Sequence, residues 1–420
     1  MGTKGRRRLG WTILAAILGS LLIGGVIFAI RIRSLTGQAE TKRLVLIQAL
    51  TAEAAAREDL RPVLRGNPVP GNSWDDYLQA ATELHRLGND DLRLRAFVTF
   101  GRDGRDWSAL NKLNEAHPTI LDALRRGTHR ERSRNPAIGV VASGIANPCL
   151  QLQGMTLLAQ ARARQLSSEG RYREAMELWL DLAMVGRDVE QNPPGPWMMD
   201  SEHFKEAFAG LKEMVQGPHL SQEDLTEMAR ELAILDTMFP SLWATLRNHQ
   251  LFVRSSLVQR EIFLSMGSGY RSANHWDTWR YGFSQRLMLL RGVEDIDGWV
   301  ERFAGIDEGP YAEVVELGAK FSVERSFGNP VLRSFSPEPS SLVPKWRNLR
   351  TQLRLLRGAA HYRATGEVLE MPDPYGTSFR HSQKGVTLKI WSVGPDGVDD
   401  GGLGGWDSAK GKDIVLEVER

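Results

Sequence analysis

Hydrophobic and polar positions divide the chain into stretches of different period. Leu9 to Ile30 reads LGWTILAAILGSLLIGGVIFAI without a charge, long enough as helix to cross roughly 30 Å of hydrocarbon. Lys4, Arg6, Arg7 and Arg8 precede it, and Arg31 and Arg33 follow at once, leaving no small-residue cleavage site of the secretory type. Residues 1–36 are therefore expected to form a basic head and a retained membrane anchor, with the compact head inside and the rest of the chain outside the membrane. Gln38 to Arg65 is rich in Ala, Leu, Glu and Arg, so the helix is expected to continue as a stalk over residues 37–66. Gly66-Asn67-Pro68-Val69-Pro70-Gly71-Asn72 ends it.

From Ser73 to about Pro337 the apolar positions recur with helical period. The amphipathic segments are Trp74 to Leu87, Met155 to Leu166, Tyr172 to Val185 and Gln222 to Leu235. No stretch here alternates persistently like a strand. Trp74, Trp107, Trp179, Trp197, Trp243, Trp276, Trp279 and Trp299 fall in this region and are expected to anchor helix to helix. Residues 73–337 are thus read as a helical domain.

The last eighty residues change character. Trp346, Leu349, Leu353, Leu356 and Ala360 recur at spacings of three and four, a stripe that requires a partner surface. Gly366 ends this helix, and Pro372 and Pro374 bar immediate re-entry. Val386 to Val393 then alternates, and Ile414 to Val418 closes the chain as a second strand. The fold class expected is mainly α, with a small antiparallel α+β module over residues 345–420.

Composition excludes several classes. Lys and Arg number 53 against 51 Asp and Glu, so no global field recruits nucleic acid. The basic runs Arg125, Arg126, Arg130, Arg132, Arg134 and Lys345, Arg347, Arg350, Arg354, Arg357, Arg363 lack interleaved aromatic stacking platforms, and no nucleic-acid partner is expected. A single cysteine, Cys149, excludes an intrachain disulfide and any cysteine-rich metal site. The nine histidines show no i, i+4 zinc pair, and no nucleophile elbow, Walker loop or dinucleotide fingerprint is present. The chain is expected not to be an enzyme. The alternative is an envelope hydrolase with a pocket around His275 and Asp277.

Between the terminal strands lies a glycine-rich loop carrying Asp396, Asp399, Asp400 and Asp407, followed by Asp413. Carboxylates on a flexible backbone are what a hard, oxygen-seeking cation such as calcium requires, although the spacing is not that of an EF-hand. A solvated acidic turn is the other reading of the same residues.

Three resemblances add to this. Ala161 to Trp179, with Gly170, Tyr172 and Ala175, looks like the turn and second helix of a tetratricopeptide unit within residues 155–186, which implies an adaptor if further pairs stack. Arg6-Arg-Arg-Leu-Gly10-Trp11-Thr12 resembles the leader of type IV pilins, which implies processing between Gly10 and Trp11; Ala15 stands where that family carries a glutamate. Asp373-Pro374-Tyr375-Gly376, the strand, Ser392-Val393-Gly394-Pro395-Asp396-Gly397 and the later aspartates resemble the carboxyl-terminal domain of the major pseudopilin of type II secretion, the protein G family. That likeness covers about residues 345–420. It implies calcium bound by Asp396, with Asp399, Asp400, Asp407 and Asp413 as candidates for the remaining ligands. The expected protein is a single-pass component or accessory of a secretion or pilus-like assembly in the bacterial cytoplasmic membrane. Its bulk is extracytoplasmic, and its partners are the lipid bilayer and other envelope proteins.

Overall fold

One helix of 54 residues, α1 (Thr3–Ala56), about 80 Å long at the helical rise, carries the apolar stretch and continues past it. The computed structural model describes residues 3–56, 60–90, 107–134, 148–191, 202–258, 293–302, 309–327, 339–376, 378–407 and 412–420. Over these the chain is mostly helical, with a small antiparallel sheet near the C-terminus. The inner half of α1 is long and apolar enough to cross a membrane and buries none of that window; Leu22 is 71% exposed. Its outer half behaves differently. Ala39 and Leu50 are buried there, and Leu46 and Ile47 pack with Leu251 and Val258 of a later helix (Leu242–Val258).

The stalk helix ends at Ala56, earlier than the composition of residues 37–66 suggests. Pro62 cannot continue it, and the flanking arginines are drawn into the body instead. The Arg61 guanidinium donates to the carbonyls of Gly127 and Thr128 at 2.9 and 3.2 Å and pairs with Asp188 at 3.1 Å. Arg65 adopts a left-handed φ of 54°, held by its N–H on Glu231 (2.9 Å) and its guanidinium on Asp181 (2.5 Å). The Tyr77 hydroxyl donates to Asp188 at 2.8 Å, and Arg187 pairs with the other oxygen of Asp188 at 3.0 Å. Burial pushes the Tyr77 hydroxyl well above its ordinary pKa, with Asp188 adding to the rise, so it stays a neutral donor.

The body is built from α2 (Ser73–Asp90), α3 (Trp107–Ala116), α4 (Pro118–Thr128), α5 (Pro148–Ser168), α6 (Tyr172–Gln191), α7 (Glu202–Gln216) and α8 (Gln222–Thr237). Two three- to four-residue strands, β1 (Val69–Asn72) and β2 (Arg130–Arg132), pair in parallel beside α2; they are too short and polar to show as alternation. α5 turns back into α6 through Gly170 at φ 78°, a conformation open to glycine at no steric cost. Ala159, Ala161, Ala163 and Ala175 are fully buried in this hairpin, and α7 packs on α6. α8 starts from a reciprocal cap in which the Ser221 hydroxyl accepts from Asp224 N–H while the Asp224 carboxylate accepts from Ser221 N–H. It packs chiefly on the C-terminal helix rather than on α7. α9 (Leu242–Val258), α10 (Val293–Arg302) and α11 (Tyr311–Phe327) complete the layer that meets α1 and that same C-terminal helix.

That last helix, α12 (Pro339–Thr365), is buried on more than its expected stripe: besides Leu349, Leu353, Leu356 and Ala360, it also buries Val343, Leu355, Ala359 and Tyr362. It lies between α8 and the sheet, so it buries apolar residues on more than one face. The sheet runs in order β3 (Arg380–Lys384), β4 (Thr387–Ser392), β5 (Ile414–Glu419), antiparallel throughout. Leu388, Ile390, Leu416 and Val418 are buried, whereas every residue of β3 is exposed. One apolar core therefore runs from Trp74 and Trp179 in the body through α12 into the sheet.

Both basic runs serve this packing. Arg126 and Arg130 share Asp76, and Arg125 reaches Asp181 at 3.4 Å. On α12, Arg350, Arg354 and Arg357 all face Asp236 of α8, at 3.5, 3.0 and 3.9 Å. Arg363 donates to the carbonyls of Val215 and Gly217, where α7 ends.

Candidate functional site

The acidic loop leaves β4 at Ser392 and re-enters the sheet at Ile414. Its base is fixed by Asp373 in the turn after α12. The buried carboxylate accepts from Tyr375 N–H (3.0 Å), the Ser392 hydroxyl (2.7 Å) and Val393 N–H (3.3 Å). Tyr375 in turn donates to Asn348 Oδ1 on α12 at 2.6 Å. The Asp-Pro-Tyr-Gly turn thus ties helix to strand directly beneath the loop. Burial raises the Asp373 pKa, against the lowering effect of its three donors.

The five aspartates marked in the sequence divide into three roles. Asp396 is exposed and accepts from Val398 N–H at 3.0 Å, a local turn. Asp399 accepts from Trp391 Nε1–H and from Gly401 N–H, both at 3.0 Å, and stands 3.5 Å from Arg380; these donors hold its carboxyl below the usual range, the Trp391 bond most of all. Asp413 is fully buried at the entry to β5 and accepts from Gly402 N–H (2.7 Å) and Asp400 N–H (3.4 Å). Burial pushes the Asp413 pKa up, and the nearby negative charges of Asp399 and Asp400 push it the same way. Asp407 is exposed. The structure therefore sets Asp399 and Asp400 near Asp413, while Asp396 and Asp407 are exposed.

The loop lies close on its own strand. A Cβ on Gly404 would fall 1.8 Å from the carbonyl oxygen of Asp413, so only glycine fits there. Gly405 bridges to Ile414, and the Trp406 carbonyl accepts from Gln352 of α12 at 3.0 Å. The donor set is oxygen-only and locally negative, which suits a hard cation in kind. Among the described residues, however, no three carboxylate, imidazole or thiol side chains converge to hold a metal ion. Backbone N–H groups occupy the carboxylate oxygens of Asp413, and an indole and a guanidinium meet those of Asp399.

Gly10 and Trp11 lie within α1. His275 and Asp277 lie outside the described residues. Sequence reading missed Arg380, because the strand carrying it, Arg-His-Ser-Gln-Lys, has no apolar position to mark it. No family model, curated protein or solved structure matches the chain.

Proposed function

We propose that the protein is a non-enzymatic, single-pass envelope protein anchored by α1 in the bacterial cytoplasmic membrane. Its body lies on the outer side, as a component or accessory of a type II secretion or pilus-like assembly. The observation that carries this reading is the two-part character of α1: an apolar half that the described residues leave uncovered, continuous with an outer half whose stripe is gripped by α9. A body held on such a helix has a fixed height and orientation above the bilayer, which an assembly subunit requires and a freely diffusing enzyme does not.

The C-terminal helix, turn and three-stranded sheet, with their likeness to the pseudopilin module, support the assignment to a secretion assembly. Calcium is proposed as its ligand, taken by Asp399, Asp400 and Asp413 together with main-chain oxygens. The chemistry it would supply is positive charge beside Asp413, where the charges of Asp399 and Asp400 lie near, binding the loop to the start of β5. Asp400 is the informative position, because its only described loop bond is made by its backbone N–H. Thermal unfolding of the full-length protein in detergent should shift upward on adding calcium, and Asp400→Asn should lose that shift while keeping the calcium-free melting temperature. An unchanged wild-type curve in calcium contradicts the ligand assignment.

A further inference from the structure

α8 and α12 meet over most of their length, but small residues at Ala229, Ala233 and Ala364 leave a cleft of about 330 Å³ between them. Thr226, Leu369 and these alanines give it short apolar walls, and three cationic or imidazole side chains line it: Arg230, Arg357 and His361. Arg230 is committed elsewhere, since its guanidinium donates to Glu231 at 3.1 and 2.8 Å. Arg357 is not.

Its nearest carboxylate is Asp236, and that single charge is already shared by Arg350 and Arg354, which sit closer. At 3.9 Å the Arg357 guanidinium is beyond hydrogen-bond range of Asp236. Among the described residues neither this guanidinium nor the His361 imidazole makes a hydrogen bond. The two stand at i and i+4 on one face of α12, so they meet at the same wall of the cleft. Three guanidiniums around one carboxylate leave a surplus of positive charge there, only partly exposed to water.

The larger cleft, about 630 Å³ beside α4, differs in this respect. Its arginines, Arg125, Arg126 and Arg130, each face a carboxylate within 3.4 Å.

We infer that the α8–α12 cleft is a binding site for an organic carboxylate on a short apolar body, of the kind a peptide C-terminus or a small carboxylic acid presents. The planar guanidinium of Arg357 offers two parallel N–H donors to the carboxylate, His361 adds a third, and the alanine and leucine walls take the aliphatic part. The volume suits one or two residues rather than a folded partner. Arg357 is the cleft-lining guanidinium without a hydrogen bond among the described residues, and its two parallel donors match the planar fork of one carboxylate.

The test is calorimetric titration of the full-length protein in detergent with three probes: N-acetyl-Ala-Leu bearing a free C-terminal carboxylate, the same dipeptide as its C-terminal amide, and valerate. The expected result is binding of the free-carboxylate dipeptide, with valerate binding as well if the carboxylate and alkyl group suffice and failing if the peptide backbone is read. The amide should bind roughly tenfold or more weakly. Arg357→Ala should abolish binding and Arg357→Lys should restore part of it, while the melting temperature stays near that of the wild type because Asp236 keeps Arg350 and Arg354. Equal binding of acid and amide overturns the inference, as does undiminished binding to Arg357→Ala or no binding of any probe to the wild type.

Discussion

Asp373 carries three donors on one buried carboxylate, and its pKa is nevertheless raised, because desolvation outweighs the bonds. A carboxyl whose folded pKa lies above its unfolded value of about 3.9 binds more protons folded than unfolded in the interval between the two. Its contribution to stability is greatest below that interval and falls as pH rises through it. Asp373→Asn keeps at Oδ1 an acceptor for Tyr375 N–H and the Ser392 hydroxyl, gives up the one that meets Val393 N–H, and removes the titration, so the pH dependence and not the absolute difference is the readout. Wild-type stability relative to Asp373→Asn, followed by chemical denaturation from pH 3.5 upward, should therefore decline with rising pH; a pH-independent difference contradicts the assignment. Asp399 works with the opposite sign, since its lowered pKa makes stability that is lost as pH falls through the folded value. At this scale the sequence was informative about composition and silent about partners. Five aspartates in a glycine-rich loop are visible as text, but Asp413 finds the N–H groups of Gly402 and Asp400 only because β5 brings it back beneath the loop. Likewise, the surplus charge on Arg357 depends on two other arginines reaching Asp236 first.

Among the elements, α12 decides the architecture. Its stripe of Trp346, Leu349, Leu353, Leu356 and Ala360 was legible as one amphipathic face, but the helix buries residues on both sides because it serves several neighbours: α7, α8, α11 and the sheet. Trp346 Nε1–H donates to the Pro240 carbonyl and Arg363 to the end of α7, while Tyr362 donates to the Val386 carbonyl beside the sheet. Apolar periodicity reports a buried face and not how many surfaces cover it. Polar edges are hidden for a related reason: β3 pairs with β4 from Arg380↔Trp391 to Lys384↔Thr387 with every residue exposed, so backbone pairing alone defines it. Leu353 is fully buried in the shared core, and Leu353→Ala should cost about 2–5 kcal/mol. Because the core is continuous, calorimetry should show helical body and sheet losing stability together in one transition. A variant in which the body melts at the wild-type temperature while the C-terminal module melts earlier contradicts this.

For the whole molecule, the arrangement follows from one helix with two environments. The apolar half of α1 is long and apolar enough to cross a membrane, and Leu21, Leu22, Phe28 and Ile30 are all more than 60% exposed. Its outer half is fixed to the body through Leu46, Ile47 and Leu50, with Arg43 donating to the Val258 carbonyl at 3.2 Å and Lys42 paired with Glu294 at 2.7 Å. The change from an uncharged to a charged stretch at Arg31 is legible in the sequence. The grip of α9 is not, since its apolar residues could equally have faced the body. The direct measurement of the central claim is protease digestion of intact spheroplasts against inverted membrane vesicles, followed with an antibody to the C-terminal sheet. The account predicts degradation in spheroplasts, protection in inverted vesicles, and retention of the intact chain in the carbonate-washed membrane. Protection in spheroplasts with degradation in inverted vesicles, or release of the chain by carbonate, contradicts it.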